Sequence, residues 1–188
     1  QISLVYQNPE EMFIKDSIHA DISYAMEVRG VRNWQQRTDE LLARFRLSDL
    51  DGRDGRLLSG GQMRRASLAI GIALNPGVLL LDEPTANLDI ATRREIIDVL
   101  QQMRDIINTA VIATHDMQLV CQWAQRIIVL CNGKVVADGS RDEIFSRQDI
   151  AGLVGIRPPE IFSMARALDN RALCYTIDEF TSSFQKGV

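Results

Sequence analysis

Two adjacent carboxylates, Asp82 and Glu83, follow a continuous apolar run at Val78–Leu81. Such a run is typical of a strand buried on both faces of a parallel sheet, and its carboxyl end lies where open α/β proteins bind ligands. An aspartate at that edge could hold Mg²⁺, which prefers oxygen ligands, and a glutamate could act as a general base toward an attacking water. The alternative is a solvent-exposed Asp-Glu turn closed by Pro84.

A short segment at the predicted start of a helix has the composition of a phosphate-binding site. Its residues are Leu58, Ser59, Gly60, Gly61 and Gln62. Two glycines without side chains would let a phosphate approach backbone N–H groups, the serine adds a hydroxyl donor, and the helix dipole favours negative charge. The alternative is an ordinary capped helix, because Ser-Gly-Gly occurs in many loops.

His115 and Gln7 each follow a predicted strand, Thr109–Ala113 and Ile2–Tyr6 respectively. If both strands belong to one parallel sheet, these two side chains lie at the same edge as the paired carboxylates. Taken alone, a histidine or a glutamine after a strand is more often a structural or loop residue than a catalytic one. Only their combination with the other segments favours a functional interpretation.

Together these features form an ordered series along the chain. The series is Gln7, the segment Leu58–Gln62, the pair Asp82 and Glu83, the segment Ala86–Asp89, and His115. Its order and separations closely resemble the motif series of ATP-binding cassette (ABC) ATPases. The resemblance implies an α/β fold of the P-loop NTPase class, here a partial ABC nucleotide-binding domain, and it implies ATP and Mg²⁺ as cofactors.

The resemblance also implies roles for the residues around one nucleotide. Gln7 would be the Q-loop glutamine, which senses Mg²⁺ and the attacking water and links the site to a transmembrane partner. Asp82 would be the Walker B aspartate that holds Mg²⁺, and Glu83 the catalytic glutamate. His115 would be the switch histidine that contacts the γ-phosphate.

A second set of roles concerns a partner subunit. By the same resemblance Leu58–Gln62 is the signature segment, and Asp89 is the D-loop aspartate. In this family two cassettes meet head to tail, so that a signature contacts the ATP held by the other subunit. We therefore expect a second ABC subunit as partner, in a homodimer or a heterodimer.

Three further segments narrow the resemblance. Tyr6–Glu11, Ile156–Pro159 and Thr176–Phe180 look like the Q-loop region and the C-terminal extension of the cobalt and energy-coupling-factor importers. Met12 departs from that group, which often has Gln there. The implied protein is the ATP-hydrolysing subunit of an importer of a metal ion or a vitamin, bound to a transmembrane subunit at the cytoplasmic face of the membrane.

The predicted elements suit this arrangement. Apolar strands alternate with amphipathic helices, and Asn132-Gly133 predicts a type I′ hairpin, which indicates a mostly parallel sheet with an antiparallel pair at its end. We predict the partial nucleotide-binding domain over residues 1–146, a helical subdomain over about 14–75, and a C-terminal extension over 147–188 with two short helical stretches. Arg64 and Arg65 are expected on a solvent-exposed face of the signature helix.

Composition limits the classes of function. The 188 residues are 46% hydrophobic and carry 21 basic against 25 acidic residues, a net charge of −4. These values indicate a folded domain, and the dispersed basic residues argue against nucleic acid as partner. No apolar run approaches the roughly 20 residues that cross a bilayer. Three cysteines without a C-x-x-C spacing favour buried thiols in a reducing compartment.

The sequence lacks one motif that ABC ATPases need. A phosphate loop has the pattern G-x-x-x-x-G-K-[ST], but the Gly-Lys pair here, Gly133-Lys134, is followed by Val135. We expect that an N-terminal segment carrying this loop is missing, the alternative being a degenerate cassette, and that the chain alone is inactive as an ATPase. Two alternatives are a non-transport ABC protein that acts on ribosomes or DNA, and a non-catalytic dimerisation fragment that lends its signature to a partner.

Overall fold

A computed structural model of the chain describes residues 1–147, 149, 155–169 and 171–184. The chain forms two compact units, Gln1–His115 and Asp116–Val188. All of the motif residues predicted to act on a nucleotide belong to the first unit.

The first unit contains a parallel sheet, as predicted. Its strands are β1 (Ile2–Val5), β2 (Val78–Asp82) and β3 (Thr109–Ala113), in the order β1-β2-β3. Val5 pairs with Leu81, and Asp82 pairs with Ala113. The strands therefore end together, and the segments that follow them emerge at one edge.

Helices cover one face of this sheet more completely than the other. Leu79 and Leu81 are buried, whereas Val78 and Leu80 are only partly buried. The prediction that β2 is buried on both faces is therefore wrong for this structure. The reason is that α3 packs on the face that carries Leu79, while the opposite face includes Val111, which is 54% exposed.

The helices of residues 1–115 pack around one central helix. They are α1 (Ile18–Val28), α2 (Trp34–Arg44), α3 (Gly60–Ile72) and α4 (Ile90–Met103), with single 3₁₀ turns at Pro9–Met12, Ser48–Leu50 and Gly55–Leu57. α3 contacts α1, α4 and β1. Small residues allow this close packing, since a Cβ on Gly71 would lie 2.4 Å from the Cγ2 of Val5.

The bounds of α3 have local causes. Ser59 is its N-cap, because the serine hydroxyl accepts a hydrogen bond from the backbone N–H of Gln62. At the other end, the guanidinium of Arg37 donates to the carbonyls of Ala73 and Ile72, which the helix leaves without intrahelical donors. The predicted start of this helix is thus confirmed.

The second unit combines a hairpin with short helices. Its elements are α5 (Met117–Trp123), β4 (Ile127–Cys131), β5 (Lys134–Gly139), α6 (Arg141–Phe145), α7 (Glu160–Leu168) and α8 (Ile177–Phe184). β4 and β5 are antiparallel, and both turn residues have positive φ, 49° at Asn132 and 74° at Gly133. This confirms the type I′ hairpin, although the pair forms a sheet of its own and does not extend the parallel sheet.

The core of the second unit joins the hairpin region to the C-terminal helices. Cys121, Phe145, Phe162 and Tyr175 form one buried cluster, in which the Phe162 and Tyr175 rings stack with their centroids 5.0 Å apart. Because α5 and α6 share this core with α7, the compact units divide after His115 and not after residue 146, where we predicted the extension to begin. Part of that extension lies outside the described residues.

No helix within the described residues combines the length and the hydropathy needed to cross a bilayer.

Candidate active site

The predicted Mg²⁺ ligands lie at the carboxyl edge of the parallel sheet. Asp82 is the last residue of β2, and Gln7 follows β1, the neighbouring strand. Both residues are exposed. A carboxylate and an amide oxygen at one exposed edge suit Mg²⁺, which takes one or two protein carboxylates and completes its shell with water and substrate phosphates. Within the described residues, no group of three or more His, Cys, Asp or Glu could hold a metal by itself.

Glu83 has an unusual backbone. Its φ is +44°, in the left-handed region that L-residues other than Asn and Asp seldom adopt. The backbone N–H of Glu83 donates to the carbonyl of Ala113 at 2.9 Å, which ties this turn to the end of β3. Such a backbone persists only where the surroundings hold it, and it is common at functional sites.

The Glu83 carboxylate is held from the strand next to it. One oxygen, Oε1, lies 2.6 Å from Nδ1 of His115 and accepts the backbone N–H of the same residue at 3.2 Å. The other oxygen, Oε2, accepts the hydroxyl of Thr114 at 3.0 Å. The structure thus brings together Glu83 and His115, two residues that the sequence predicted for one site.

Thr114 belongs to this site although the motif series does not include it. Its position directly before His115 was the available signal, because a hydroxyl at the end of β3 can reach the residue that follows β2. The His115 side chain remains 86% exposed and the Glu83 side chain 20% exposed. A ligand at this edge could therefore contact the imidazole while the carboxylate stays oriented.

The signature segment has the geometry of a capped helix start. The Oε1 of Gln62 accepts the backbone N–H of Ser59 at 3.0 Å, and this bond with the Ser59 cap completes a capping box. The segment therefore does form an ordinary capped helix start. This does not exclude a ligand, because the Ser59 hydroxyl accepts the Gln62 N–H and can still donate its own proton.

The two glycines of the signature differ in their surroundings. A Cβ on Gly60 would meet nothing within 4 Å, so this backbone is open to an approaching ligand. A Cβ on Gly61 would lie 2.5 Å from the Cγ2 of Thr92 in α4. Gly61 is thus required by packing within the chain.

Thr92 also contacts Asp89, the predicted D-loop residue. Asp89 is the N-cap of α4 and accepts the backbone N–H groups of Ala91 and Thr92, both at 3.0 Å. The Thr92 hydroxyl donates to the same carboxylate at 2.6 Å, and this bond is the main cause that lowers the pKa of Asp89. Thr92 therefore connects Asp89 with Gly61.

Both Arg64 and Arg65 were expected on a solvent-exposed face of α3. This expectation is wrong for Arg64 and only partly right for Arg65. Arg64 is 3% exposed and donates to the carbonyls of Tyr6 and Gln7 at 3.0 and 2.6 Å. Arg65 is partly buried and pairs with Glu95 at 3.0 Å. Consecutive helix residues point about 100° apart, so Arg64 and Arg65 cannot share the same surroundings. The packing of α3 places Arg64 inside.

Comparisons with known proteins agree with this geometry. A sequence model described as "ABC transporter" matches residues 1–86. The cobalt import ATP-binding protein CbiO of Rhodobacter capsulatus is 34% identical over 167 residues, which cover 88% of this chain and 60% of that protein. The energy-coupling factor transporter ATP-binding protein EcfA1 of Streptococcus mutans is 33% identical over 181 residues, 95% of this chain and 64% of that protein.

A solved structure extends the similarity to the fold. It is cbiO1 from Clostridium perfringens, described as part of the ABC transporter complex cbiONQ, with 30% identity and a TM-score of 0.70 over 85% of this chain and 65% of that one. The chain spans roughly three fifths of the length of these curated relatives. The sheet and the ordered motifs of the chain are thus similar to those of ATP-binding cassette (ABC) ATPases, whose domain model matches residues 1–86.

Proposed function

We propose that the chain is part of the ATP-hydrolysing subunit of an ABC importer of the cobalt and energy-coupling-factor type. The observation that carries this proposal is the orientation of Glu83, whose two carboxylate oxygens are held by Thr114 and His115 beside Asp82. A carboxylate fixed at the edge of a parallel sheet, next to a second one suited to Mg²⁺, is what hydrolysis of a phosphoanhydride requires.

The residues would divide the reaction between them. Glu83 would orient a water and accept its proton as the oxygen attacks the γ-phosphorus and the bond to the β–γ bridging oxygen breaks. The exposed His115 side chain would contact the γ-phosphate. Asp82 and Gln7 would hold Mg²⁺, which when bound neutralises charge on the phosphate oxygens.

The partners follow from the same proposal. The open backbone at Gly60 would contact an ATP held by a second cassette, and Gln7 would face a transmembrane subunit. The protein would then act at the cytoplasmic face of a membrane, where it would drive import of a metal ion or a vitamin. The relatives support transport over action on ribosomes or DNA, since they are named as cobalt import and energy-coupling-factor proteins.

The test compares two carboxylate variants in a chain that can bind nucleotide. A phosphate-loop segment from a relative is fused before Gln1, and ATP hydrolysis is measured for the unchanged fusion, Glu83→Gln and Glu40→Gln. We expect Glu83→Gln to lower turnover by about 10²- to 10⁴-fold while ATP binding persists. Glu40→Gln, on the exposed side of α2, should leave the turnover unchanged.

One outcome would contradict the proposal, and another would contradict the expectation that the isolated chain is inactive. Turnover by Glu83→Gln within threefold of the unchanged fusion would remove Glu83 from the reaction. Steady-state hydrolysis by the 188-residue chain without the added segment, abolished by Glu83→Gln, would show that our expectation of an inactive isolated chain is wrong.

A further inference from the structure

Arg64 is a buried cation that forms no ion pair within the described residues. It is 3% exposed, its two terminal nitrogens bind backbone carbonyls, and no carboxylate within the described residues pairs with it. Its Nε is also buried without a hydrogen-bond acceptor in the described part of the chain. Burial alone lowers the pKa of this guanidinium. Burying a charge costs stability, and here the hydrogen bonds to the two carbonyls offset part of that cost.

The geometry that Arg64 provides is a fork with two donors. Nη1 lies 3.0 Å from the carbonyl oxygen of Tyr6, and Nη2 lies 2.6 Å from that of Gln7. These carbonyls lie just beyond β1, whose last paired residue is Val5. The planar guanidinium holds two consecutive carbonyls at once, which a single ammonium cannot do with the same geometry.

The segment that follows Gln7 makes other contacts with the rest of the chain at Phe13, Ile14 and Lys15. A Cβ on Gly55 would lie 2.4 Å from the ring of Phe13, so this ring packs directly on the Gly55 backbone. Asp21 accepts the backbone N–H groups of Ile14 and Lys15 at 2.8 and 2.9 Å. Arg64 is thus the contact that fixes the near end of this segment, at Gln7 itself.

Arg64 also lies close to the signature along α3. It follows Gln62 by two residues, a rise of about 3 Å along the helix axis. The Gln7 side chain is exposed while its carbonyl is bound to Arg64. A displacement of the start of α3 would therefore move the backbone from which the Gln7 side chain extends.

We propose that Arg64 is a positioning residue that ties the backbone of Gln7 to the start of the signature helix. Through this tie, engagement of the signature by the nucleotide of a second cassette is transmitted to Gln7 in the site of the first. The inference rests on the proposed function for its consequence in catalysis, but the tie itself can be measured without any nucleotide.

The first experiment measures amide hydrogen exchange in the 188-residue chain. Arg64→Met removes the fork and keeps the apolar stem, Arg64→Lys keeps the charge and can reach one carbonyl, and Arg65→Met is the control on the same helix. In peptides covering Tyr6–Phe13, we expect exchange to rise about tenfold in Arg64→Met. Arg64→Lys should show a smaller rise and Arg65→Met none.

The second experiment measures hydrolysis in the fusion that carries a phosphate loop. Arg64→Met should lower kcat about tenfold or more, while KM for ATP stays within about threefold, because Gln7 is misplaced and the nucleotide contacts remain. Arg64→Lys should recover part of kcat, and Arg65→Met should leave it unchanged. A merely structural role would not separate kcat from KM in this way.

Several results would overturn the inference. These are wild-type exchange at Tyr6–Phe13 in Arg64→Met, equal losses of kcat in Arg64→Met and Arg65→Met, or a raised exchange with no change in kcat. If Arg64→Met does not fold, wild-type exchange in Arg64→Lys is equally contradictory. If the unchanged fusion does not hydrolyse ATP, the proposed function fails, and the exchange experiment alone decides whether the tie exists.

Discussion

At the residue scale, the two signature glycines illustrate how adjacent residues of one type can be required for different reasons. Gly60 faces open space, whereas Gly61 lies against the Thr92 methyl group. Thr92 cannot easily move away, because its hydroxyl is bonded to Asp89 and its β-branched side chain has few rotamers. The first glycine is therefore available to a ligand, and the second closes a contact between α3 and α4.

This difference predicts opposite effects of alanine on stability. Gly61→Ala places a Cβ 2.5 Å from Thr92 Cγ2, and overpacking of this kind costs about 1–3 kcal/mol. Gly60→Ala adds a better helix former in open space and should be neutral, or stabilising by up to about 1 kcal/mol. Urea unfolding of both variants checks the prediction, which equal destabilisation would contradict.

At the element scale, α1 is joined to the preceding segment by a buried carboxylate. Asp21 is 4% exposed, and its Oδ1 accepts two backbone N–H groups from Ile14 and Lys15. Its Oδ2 has no hydrogen-bond partner within the described residues. Burial raises the pKa of Asp21, and the two backbone bonds offset only part of that rise.

The raised pKa predicts a pH dependence for an Asp21→Asn variant. The folded state takes up the Asp21 proton at a higher pH than the unfolded chain, whose carboxyl has an ordinary pKa near 3.8. The cost of the buried charge is therefore complete at neutral pH and declines as the pH falls through the folded-state pKa. Wild type should gain unfolding free energy relative to Asp21→Asn between pH 7 and pH 4.

Urea unfolding of both proteins across that pH range measures this difference. Asparagine can keep both acceptor bonds through its Oδ1 and does not titrate, so it serves as the reference at every pH. If wild type instead loses unfolding free energy relative to Asp21→Asn as the pH falls, the hydrogen bonds favour the charged form more than burial disfavours it.

At the scale of the whole molecule, the three thiols all belong to the second unit, Asp116–Val188. Cys121 and Cys174 are buried, as the sequence predicted, and Cys131 at the end of β4 is partly exposed. Burial raises the pKa of Cys121 to about 12. Because the thiolate is the reactive form, Cys121 should be inert while the second unit is folded.

Alkylation with iodoacetamide at pH 8, followed by mass spectrometry of the labelled peptides, tests this. In native buffer we expect Cys131 to react at least about 100-fold faster than Cys121. In urea the buried cluster that includes Cys121, Phe145 and Tyr175 is lost, and the two alkylation rates should converge. Equal rates in native buffer would mean that the core around Cys121 opens without denaturant.

Local sequence was enough to predict most elements and that Glu83 and His115 lie close together at one edge of the sheet. The Ser59 cap, the Asn132-Gly133 turn and the ends of β2 and β3 depend on neighbours a few residues away, and the structure has them where the sequence predicts. The shared edge of the parallel strands followed from their alternation with helices, because strands of one parallel sheet end on the same side.

Contacts between residues far apart in sequence were decided by the tertiary structure alone. Arg64 reaches Tyr6 across 58 positions, and Thr114 reaches Glu83 across 31. Helical periodicity predicts that Arg64 and Arg65 point about 100° apart, but it does not predict which of the two side chains packs against another element. Residue types and strand order are enough to predict which groups could do chemistry and at which edge of the sheet they lie. Which side chains hold those groups in place depends on packing between distant segments.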